Sequence, residues 1–425
     1  MKLSLRYLEH PVTADLSWAG RIETLDIAPA PPSAPWHDEL ELGFAKPIGQ
    51  DTPFFERVRP HDRVTIVVSD SFRRTGIDRI LPSMLSELTR RGVREEAVSF
   101  VLATGIHRAP TPEEQSRILG HAVYARFAER AFSHTPWDDS AMTYVGVTSR
   151  GTRVFVNRRV IECDRLFLTG TVVLHYFAGF GGGRKSLLPG VSAAETISQN
   201  HSLNLHPSEN RLNPDVRIGV LDGNPVAEDM REGASFVPVE GIINTVLDKQ
   251  GEIARVFVGD REAAHRAAAA YAYDCYAVSW PERADLVIAA AGPVRNFVQA
   301  HKALYNAHLA MKPGGRILFV AACPEGLGGE SFTKWIRLGD RAAVFTALRR
   351  HSEINGQTAL STLEKAPAAV FVTEMTKADV ELLGARKAPS LQAALDILRA
   401  ELPPDPIVCV MPRAEYTVPV LPSPA

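Results

Sequence analysis

Short unbroken apolar runs alternate with longer segments of helical period through most of the chain. RVTIVVSD, residues 63–70, has the continuous apolar character of a strand buried on both faces. Ile77, Ile80, Leu81, Met84, Leu85 and Leu88 then recur at helical spacing, and Gly92 closes that helix. AVSFVLAT (97–104) predicts a second strand, PTPEEQSRIL (110–119) a proline-started helix, and RLFLTGTVV (165–173) a third strand. IINTVLDKQGEIARVFVG (242–259) has the pattern of a hairpin turning at Gly251, and REAAHRAAAAYAYD (261–274) that of a helix.

A second alternating series follows. DLVIAAAG (285–292), RILFVAAC (316–323), AVFVTEM (369–375) and PIVCVMP (406–412) read as strands, with NFVQAHKALYNAHLAM (296–311) a helix between the first two. This order predicts two α/β domains with largely parallel sheets. The expected boundaries are 1–274 and 275–405, with a tail, 406–425, able to return to the first domain. The first sixty residues are proline-rich and carry no clear period.

Composition narrows the function classes. The 425 residues carry a net charge of −2 and no long basic run, which disfavours nucleic acid and anionic membrane as partners. No apolar run reaches membrane-spanning length, and the N-terminus lacks the apolar core of a signal peptide. Cys163, Cys275, Cys323 and Cys409 are far apart and form no CxxC pair, so a reducing cytoplasm is the expected location.

Candidate chemistry gathers after strands. Asp70 and Arg73 follow the first, His107 the second, and His175 and Lys185 the third. Open α/β sheets bind ligands at the carboxyl ends of their strands, so these side chains are expected at one crevice. A lone histidine after a strand is more often structural; several at equivalent positions are harder to dismiss. The segment HYFAGFGGGRKSLLPGVSAAETISQNH (175–201) is the densest. Gly179, Gly181, Gly182 and Gly183 permit close backbone approach and offer N–H groups to an anion, while Lys185 can supply a cation or a nucleophile. GFGGGRKS departs from a Walker A loop, because Arg184 stands between Gly183 and Lys185. In the second series Gln299 and Lys302 share a helix face, with His301 on another; a solvated surface is the plain alternative. GLGGESF (326–332) follows a strand and reads as a turn and helix start, with Glu330 at its positive end.

SDSFRR, ATGIHRAPTPEE, HYFAGFGGGRKSLLPGV with the following Asn200-His201, QAHK and GGESF together resemble the lactate racemase family, whose members use a nickel-pincer nucleotide. The resemblance extends through most of the chain. It implies two α/β domains, the first binding the cofactor and carrying catalysis, with the active site in the cleft between them. It implies Lys185 as the covalent tether of the cofactor and His201 as the nickel ligand. His107 and His175 match the catalytic bases, and Arg73, Gln299 and Lys302 the substrate-holding positions. Asp70, Gly181, Gly182, Gly183, Arg184 and Ser186 are expected among the cofactor-binding residues. The implied activity is racemisation or epimerisation of a 2-hydroxy acid by reversible hydride transfer through a 2-keto acid. Enzymes that build the cofactor are expected partners, and a preparation made without them can be an apo form. Val298 stands where an aromatic residue is expected, and no acidic residue lies between Gly292 and Gln299, so the side-chain pocket for the substrate differs from that of lactate enzymes. The alternatives are a protein that binds the nucleotide without racemase activity and, less favoured, a phosphate-loop hydrolase.

Overall fold

The computed structural model describes residues 2–7, 10–31 and 33–420. It divides into two units: one of residues 29–207 and 212–275, the other of 1–28, 208–211 and 276–425.

The unit of residues 29–275 is built on a six-stranded sheet. Its spatial order is Ile253–Gly259, Gly241–Leu247, Arg165–Thr171, Val64–Ser69, Val98–Ala103, Ala131–Ser133. All neighbours run parallel except the expected hairpin, Gly241–Leu247 with Ile253–Gly259, where Gly251 takes the left-handed φ of 80°. Alternate side chains of the central strands face opposite cores. Ile66, Val68, Phe100 and Leu102 pack with the apolar stripe of helix Ile77–Arg90. Val67, Val101, Leu166 and Leu168 pack with Leu187, Leu188, Val226 and Met230. Both faces are therefore covered, which is why these strands read as unbroken apolar runs. Helix Pro112–Leu119 starts at proline as its sequence predicts, capped reciprocally by Thr111 and Glu114.

Chain order along this sheet reverses between Val64–Ser69 and Arg165–Thr171, since the strands that follow each one extend away on opposite sides. Such a switch point opens a crevice at the carboxyl ends of the two strands it separates.

The second unit has an all-parallel sheet ordered Arg386–Ala388, Ala369–Val372, Met311–Val320, Ala284–Ala290, Ile407–Met411, Arg21–Thr24. Its switch point lies between Ala284–Ala290 and Ile407–Met411. Leu286, Ile288, Leu318 and Val370 pack with Leu391, Leu395 and Leu398 of helix Leu391–Arg399, and with Leu3, Leu5 and Leu16.

Two boundary expectations need correction. The tail does not return to the first unit: Ile407–Met411 is an inner strand of the second sheet, and Val418–Val420 pairs with Ala277–Ser279. Residues 421–425 lie outside the described residues. Residues 1–28 also belong to the second unit, because Arg21–Thr24 adds in parallel to Ile407–Met411.

Candidate active site

Asp70, directly after strand Val64–Ser69, is buried, and its Oδ2 lies 2.6 Å from Nδ1 of His107. A carboxylate only accepts, so the His107 proton sits on Nδ1 and Nε2 is left with a lone pair. The backbone N–H of Phe72 donates to the other Asp70 oxygen at 3.2 Å, and the Phe72 ring lies 4.8 Å from the His107 ring. Asp70, expected among cofactor-binding residues, places its carboxylate on a histidine 37 positions away. Arg73 lies exposed in the same loop, its N–H donating to the Asp70 carbonyl at 3.4 Å.

On the other side of the switch point the chain leaves strand Arg165–Thr171 and reaches His175 within four residues. His175 is buried, and its Nδ1 accepts the Ala178 N–H at 3.3 Å. A neutral His175 ring therefore carries its proton on Nε2, the reverse of His107. Phe177 connects the next residues. Its ring stands edge-on to His175 at 4.3 Å and to His201 at 4.7 Å, and Nζ of Lys185 lies 5.3 Å from its centroid. The structure thus gathers His175, Lys185 and His201 around one aromatic ring. The pattern HYFAGF contains Phe177, but its sequence position alone gives it no role.

His201 lies near the end of helix Ala194–Ser202 and is 1% exposed. Its Nδ1 donates to the Ile197 carbonyl at 2.8 Å, since a carbonyl can only accept, and this puts a lone pair on Nε2. Burial, and then the charge of Lys185, lower its pKa to about 3, so the ring is neutral at ordinary pH. Asn200 beside it donates to buried Asp229 at 2.9 Å, and Asp229 also accepts from Thr148 and Thr152, which fixes this helix.

The glycine loop differs from the expected open anion cradle. Gly181 N–H donates to the Val173 carbonyl at 2.8 Å, Gly183 N–H to Oδ1 of Asn244 at 2.8 Å, and Lys185 N–H to the Gly182 carbonyl at 3.0 Å. Those donors serve the fold. Gly182 and Gly183 have φ of 69° and 54°, and a Cβ on them would come within 2.3 Å of Asn244 and 2.5 Å of His265. Glycine is required there by close packing and by the left-handed backbone. Arg184 and Ser186 also point inward. Arg184 donates to the Ala178 carbonyl at 3.1 Å and to Nδ1 of His265 at 3.2 Å, while His265 donates from Nε2 to the Gly181 carbonyl at 2.9 Å. Burial lowers Arg184 to about 10 and His265 to about 3. Ser186 donates to the Thr169 carbonyl at 2.9 Å. These contacts hold the short 3₁₀ turn Gly183–Ser186 in which Lys185 sits. Asn244 and His265 are therefore supporting residues that the sequence reading passed over. Their signals were a polar residue inside an apolar strand and a histidine inside an alanine-rich helix.

In the second unit, helix Phe297–Ala310 is capped by Asn296, which accepts the Gln299 N–H at 3.2 Å. Gln299 Oε1 accepts the Arg295 N–H at 3.0 Å. Gln299 and Lys302 are half-buried, whereas His301 turns inward, is 2% exposed and is lowered to about 3 by burial, then by Lys365. Glu330 opens helix Glu330–Ile336 after two left-handed glycines, Gly328 and Gly329. Among the described residues no three His, Cys, Asp or Glu side chains converge on one point as a metal cage, and no helix is long and apolar enough to cross a membrane.

Comparisons with known proteins agree with this layout. Residues 10–213 match the family model of the lactate racemase N-terminal domain, and residues 280–414 that of the lactate racemase C-terminal domain. A lactate racemase of Lactiplantibacillus plantarum is 33% identical over 343 residues, 78% of this chain and 77% of that protein. A lactate racemase of Thermoanaerobacterium thermosaccharolyticum is 32% identical over 277 residues, 64% of this chain, and that match spans 63% of the relative's own length. The solved lactate racemase apoprotein from Thermoanaerobacterium thermosaccharolyticum superposes with a TM-score of 0.87 at 25% identity, covering 99% of this chain and 100% of that one. A Thermotoga maritima protein shares the fold, with a TM-score of 0.70 at 17% identity over 91% of this chain and 98% of its own.

Proposed function

The chain belongs to the lactate racemase family, and on that premise we propose that it interconverts the enantiomers of a 2-hydroxy acid, lactate or a related carboxylate. One observation carries this reading. An Asp-paired histidine, and a second histidine grouped with a buried lysine and a buried neutral histidine, flank the switch point of one sheet.

We propose that the chain holds the family's nickel-pincer nucleotide through Lys185 as covalent tether and His201 as metal ligand. The donor chemistry supports this. A metal-ligating histidine commonly donates its other N–H to a backbone carbonyl, as His201 does to Ile197, and burial keeps the ring neutral as ligation requires. Lys185 stands beside the same aromatic ring as His201. When bound, the group supplies an electron-poor acceptor for the C–H hydride, so that a planar 2-keto acid is reached without a carbanion.

The chain's own residues then manage protons and position. His107 takes the hydroxyl proton at Nε2, because Nδ1–H is committed to Asp70. Asp70 steadies the imidazolium so formed. His175 is presented with its proton on Nε2 and serves as the acid that returns a proton from the other side. Base and acid exchange parts when the opposite enantiomer enters, as inversion requires. Arg73, Gln299 and Lys302 are the substrate-holding residues in this reading, and a guanidinium suits a carboxylate through two parallel hydrogen bonds. Gly181, Gly182 and Gly183, with Arg184 and Ser186, keep the loop in the shape that presents Lys185. Val298 before Gln299 points to a substrate side chain other than that of lactate as an equal candidate. A cofactor-binding protein without racemase activity is the other reading, and it gives no use to the Asp70–His107 pair. The four unpaired cysteines accord with a cytoplasmic location.

The test is chiral chromatography of a panel of enantiopure 2-hydroxy acids incubated with protein made beside the cofactor-building enzymes. Conversion of at least one acid to both enantiomers is expected. A nickel-loaded chain that converts none refutes the reading.

A further inference from the structure

One buried histidine has no part in the site described above, yet it touches the loops that build it. His134 follows the edge strand Ala131–Ser133 and is 1% exposed. The sheet sets its backbone, since its N–H donates to the Leu102 carbonyl at 3.1 Å. Both ring nitrogens are used. Nε2 donates to the Ser192 carbonyl at 3.0 Å, because a carbonyl can only accept, and Nδ1 accepts from the Asn157 side-chain amide at 3.2 Å. Asn157 closes strand Arg153–Asn157, and its own N–H donates to the Val191 carbonyl at 2.8 Å. Burial lowers His134 to about 4, against the pull of the Ser192 carbonyl, so this neutral tautomer persists at ordinary pH.

The partners of His134 lead to residues of the site. On one side, Thr104 Oγ1 donates to the His134 carbonyl at 2.8 Å, and the Thr104 carbonyl accepts the His107 N–H at 2.9 Å. On the other, Ser192 Oγ donates at 2.8 Å to the carbonyl of Leu187, the residue that ends the turn holding Lys185. Between the two, the Gly105 N–H donates to the Gly190 carbonyl at 2.9 Å, and the Gly190 N–H to the Lys185 carbonyl at 2.9 Å. Gly190 lies flush on that turn, where a Cβ would come within 2.4 Å of the Ser186 carbonyl oxygen. The His107 turn and the Lys185 loop are thus joined twice, once directly through Gly105 and Gly190 and once through His134.

We propose that His134 is a positioning residue for the reaction, its imidazole fixing the His107 turn against the Lys185 loop. This rests on the reading of His107 as base and Lys185 as tether. The ring is rigid and offers a donor and an acceptor from separate edges. Alanine would strip the buried Ser192 carbonyl and the Asn157 amide of a partner and leave the Gly105–Gly190 bond as the remaining joint. A misplacement of about 1 Å between reacting groups can cost about 10²-fold in rate. Glutamine in place of His134 keeps a donor for Ser192.

Hydrogen exchange, read by mass spectrometry on the chain as purified, is the first test. In His134→Ala, residues 104–107 and 190–192 should exchange about tenfold faster, the fold-change for one buried bond lost, while strands Val64–Ser69 and Gly241–Leu247 keep their protection. His134→Gln should restore protection at both loops. Thr104→Val keeps the ring and cuts the joint at its other end; it should loosen 104–107 alike, and it carries the test if His134→Ala does not fold. On the loaded enzyme, His134→Ala should lower kcat by up to about 10²-fold with KM unchanged, because the substrate is held elsewhere, and His134→Gln should recover most of kcat. Unchanged exchange in His134→Ala and Thr104→Val, exchange that rises evenly over the whole chain, or a kcat that His134→Gln does not recover overturns the proposal. The exchange measurement does not depend on turnover. The expected exchange pattern in a chain that racemises nothing refutes the racemase reading, and a racemising chain whose variants keep kcat refutes this one.

Discussion

The two sheets share a largely parallel, doubly wound order with a switch point, yet buried titratable groups packed around the two are held in opposite ways. In the unit of residues 29–275, burial lowers His201 and His265, so imidazoles stay neutral and keep lone pairs. In the other unit, burial raises the Glu415 carboxyl to about 7, so an acid holds its proton to higher pH than usual. One cause, the cost of charge away from water, yields a metal-ligand type of nitrogen in one unit and a titratable acid in the other. The lesson is that a position near the sheet supplies only a place. The neighbours of each side chain decide which chemical state is offered there.

The comparison breaks most completely at Lys185. Lys185→Ala should abolish activity and any covalently retained cofactor mass, and Lys185→Arg should do the same, since a guanidinium is a poor nucleophile. Mass spectrometry of the Lys185 peptide after denaturation checks this, and retained added mass in Lys185→Ala contradicts the tether.

Next come the histidines. Loss of a general base typically slows the reaction by about 10²–10⁴-fold, and both His107→Ala and His175→Ala should fall in that range. His201→Ala should instead lose nickel, more than either of the other two variants; metal analysis of all three separates ligand from base. Equal nickel loss in the three would erase the distinction.

Asp70→Asn should cost less, about tenfold to 10²-fold in kcat, because the ring remains but its Nδ1–H no longer meets a carboxylate. An unchanged pH–rate profile in that variant would show that Asp70 does not act through His107.

The smallest effect concerns stability. A carboxyl raised from the usual range to about 7 favours the folded state fully only below its unfolded pKa, and that contribution is lost as pH rises through 7. Glu415→Gln should therefore raise Tm at about pH 8 and leave it nearly unchanged at about pH 4. A gain of equal size at both would assign the effect to packing.

Much of this was readable from local pattern. The runs at 63–70, 97–104 and 165–173 are strands, because two covered faces demand apolar residues at every position. The same reasoning placed Asp70, His107 and His175 at the ends of adjacent strands. What stayed hidden depends on partners distant in sequence. Arg21–Thr24 has no period of its own and becomes a strand only by pairing with Ile407–Met411. The glycine loop looks like an anion cradle until Asn244 is found on Gly183 N–H. Nothing in the sequence shows that His265 and the Ala178 carbonyl hold the Arg184 guanidinium. Asp70 gains its partner from across 37 residues, and the Glu415 carboxyl is buried in a turn whose sequence carries no motif.

The claim that His107 and His175 face one substrate in opposite protonation states is tested most directly by rapid mixing. His107→Ala and His175→Ala, each loaded with cofactor, are mixed with pure D- or L-substrate while cofactor absorbance is followed. Each variant should respond to one enantiomer and fail with the other, and the enantiomer that still reacts should differ between them. If both variants lose the response to the same enantiomer, the two histidines do not divide the work, and the account of the site is wrong.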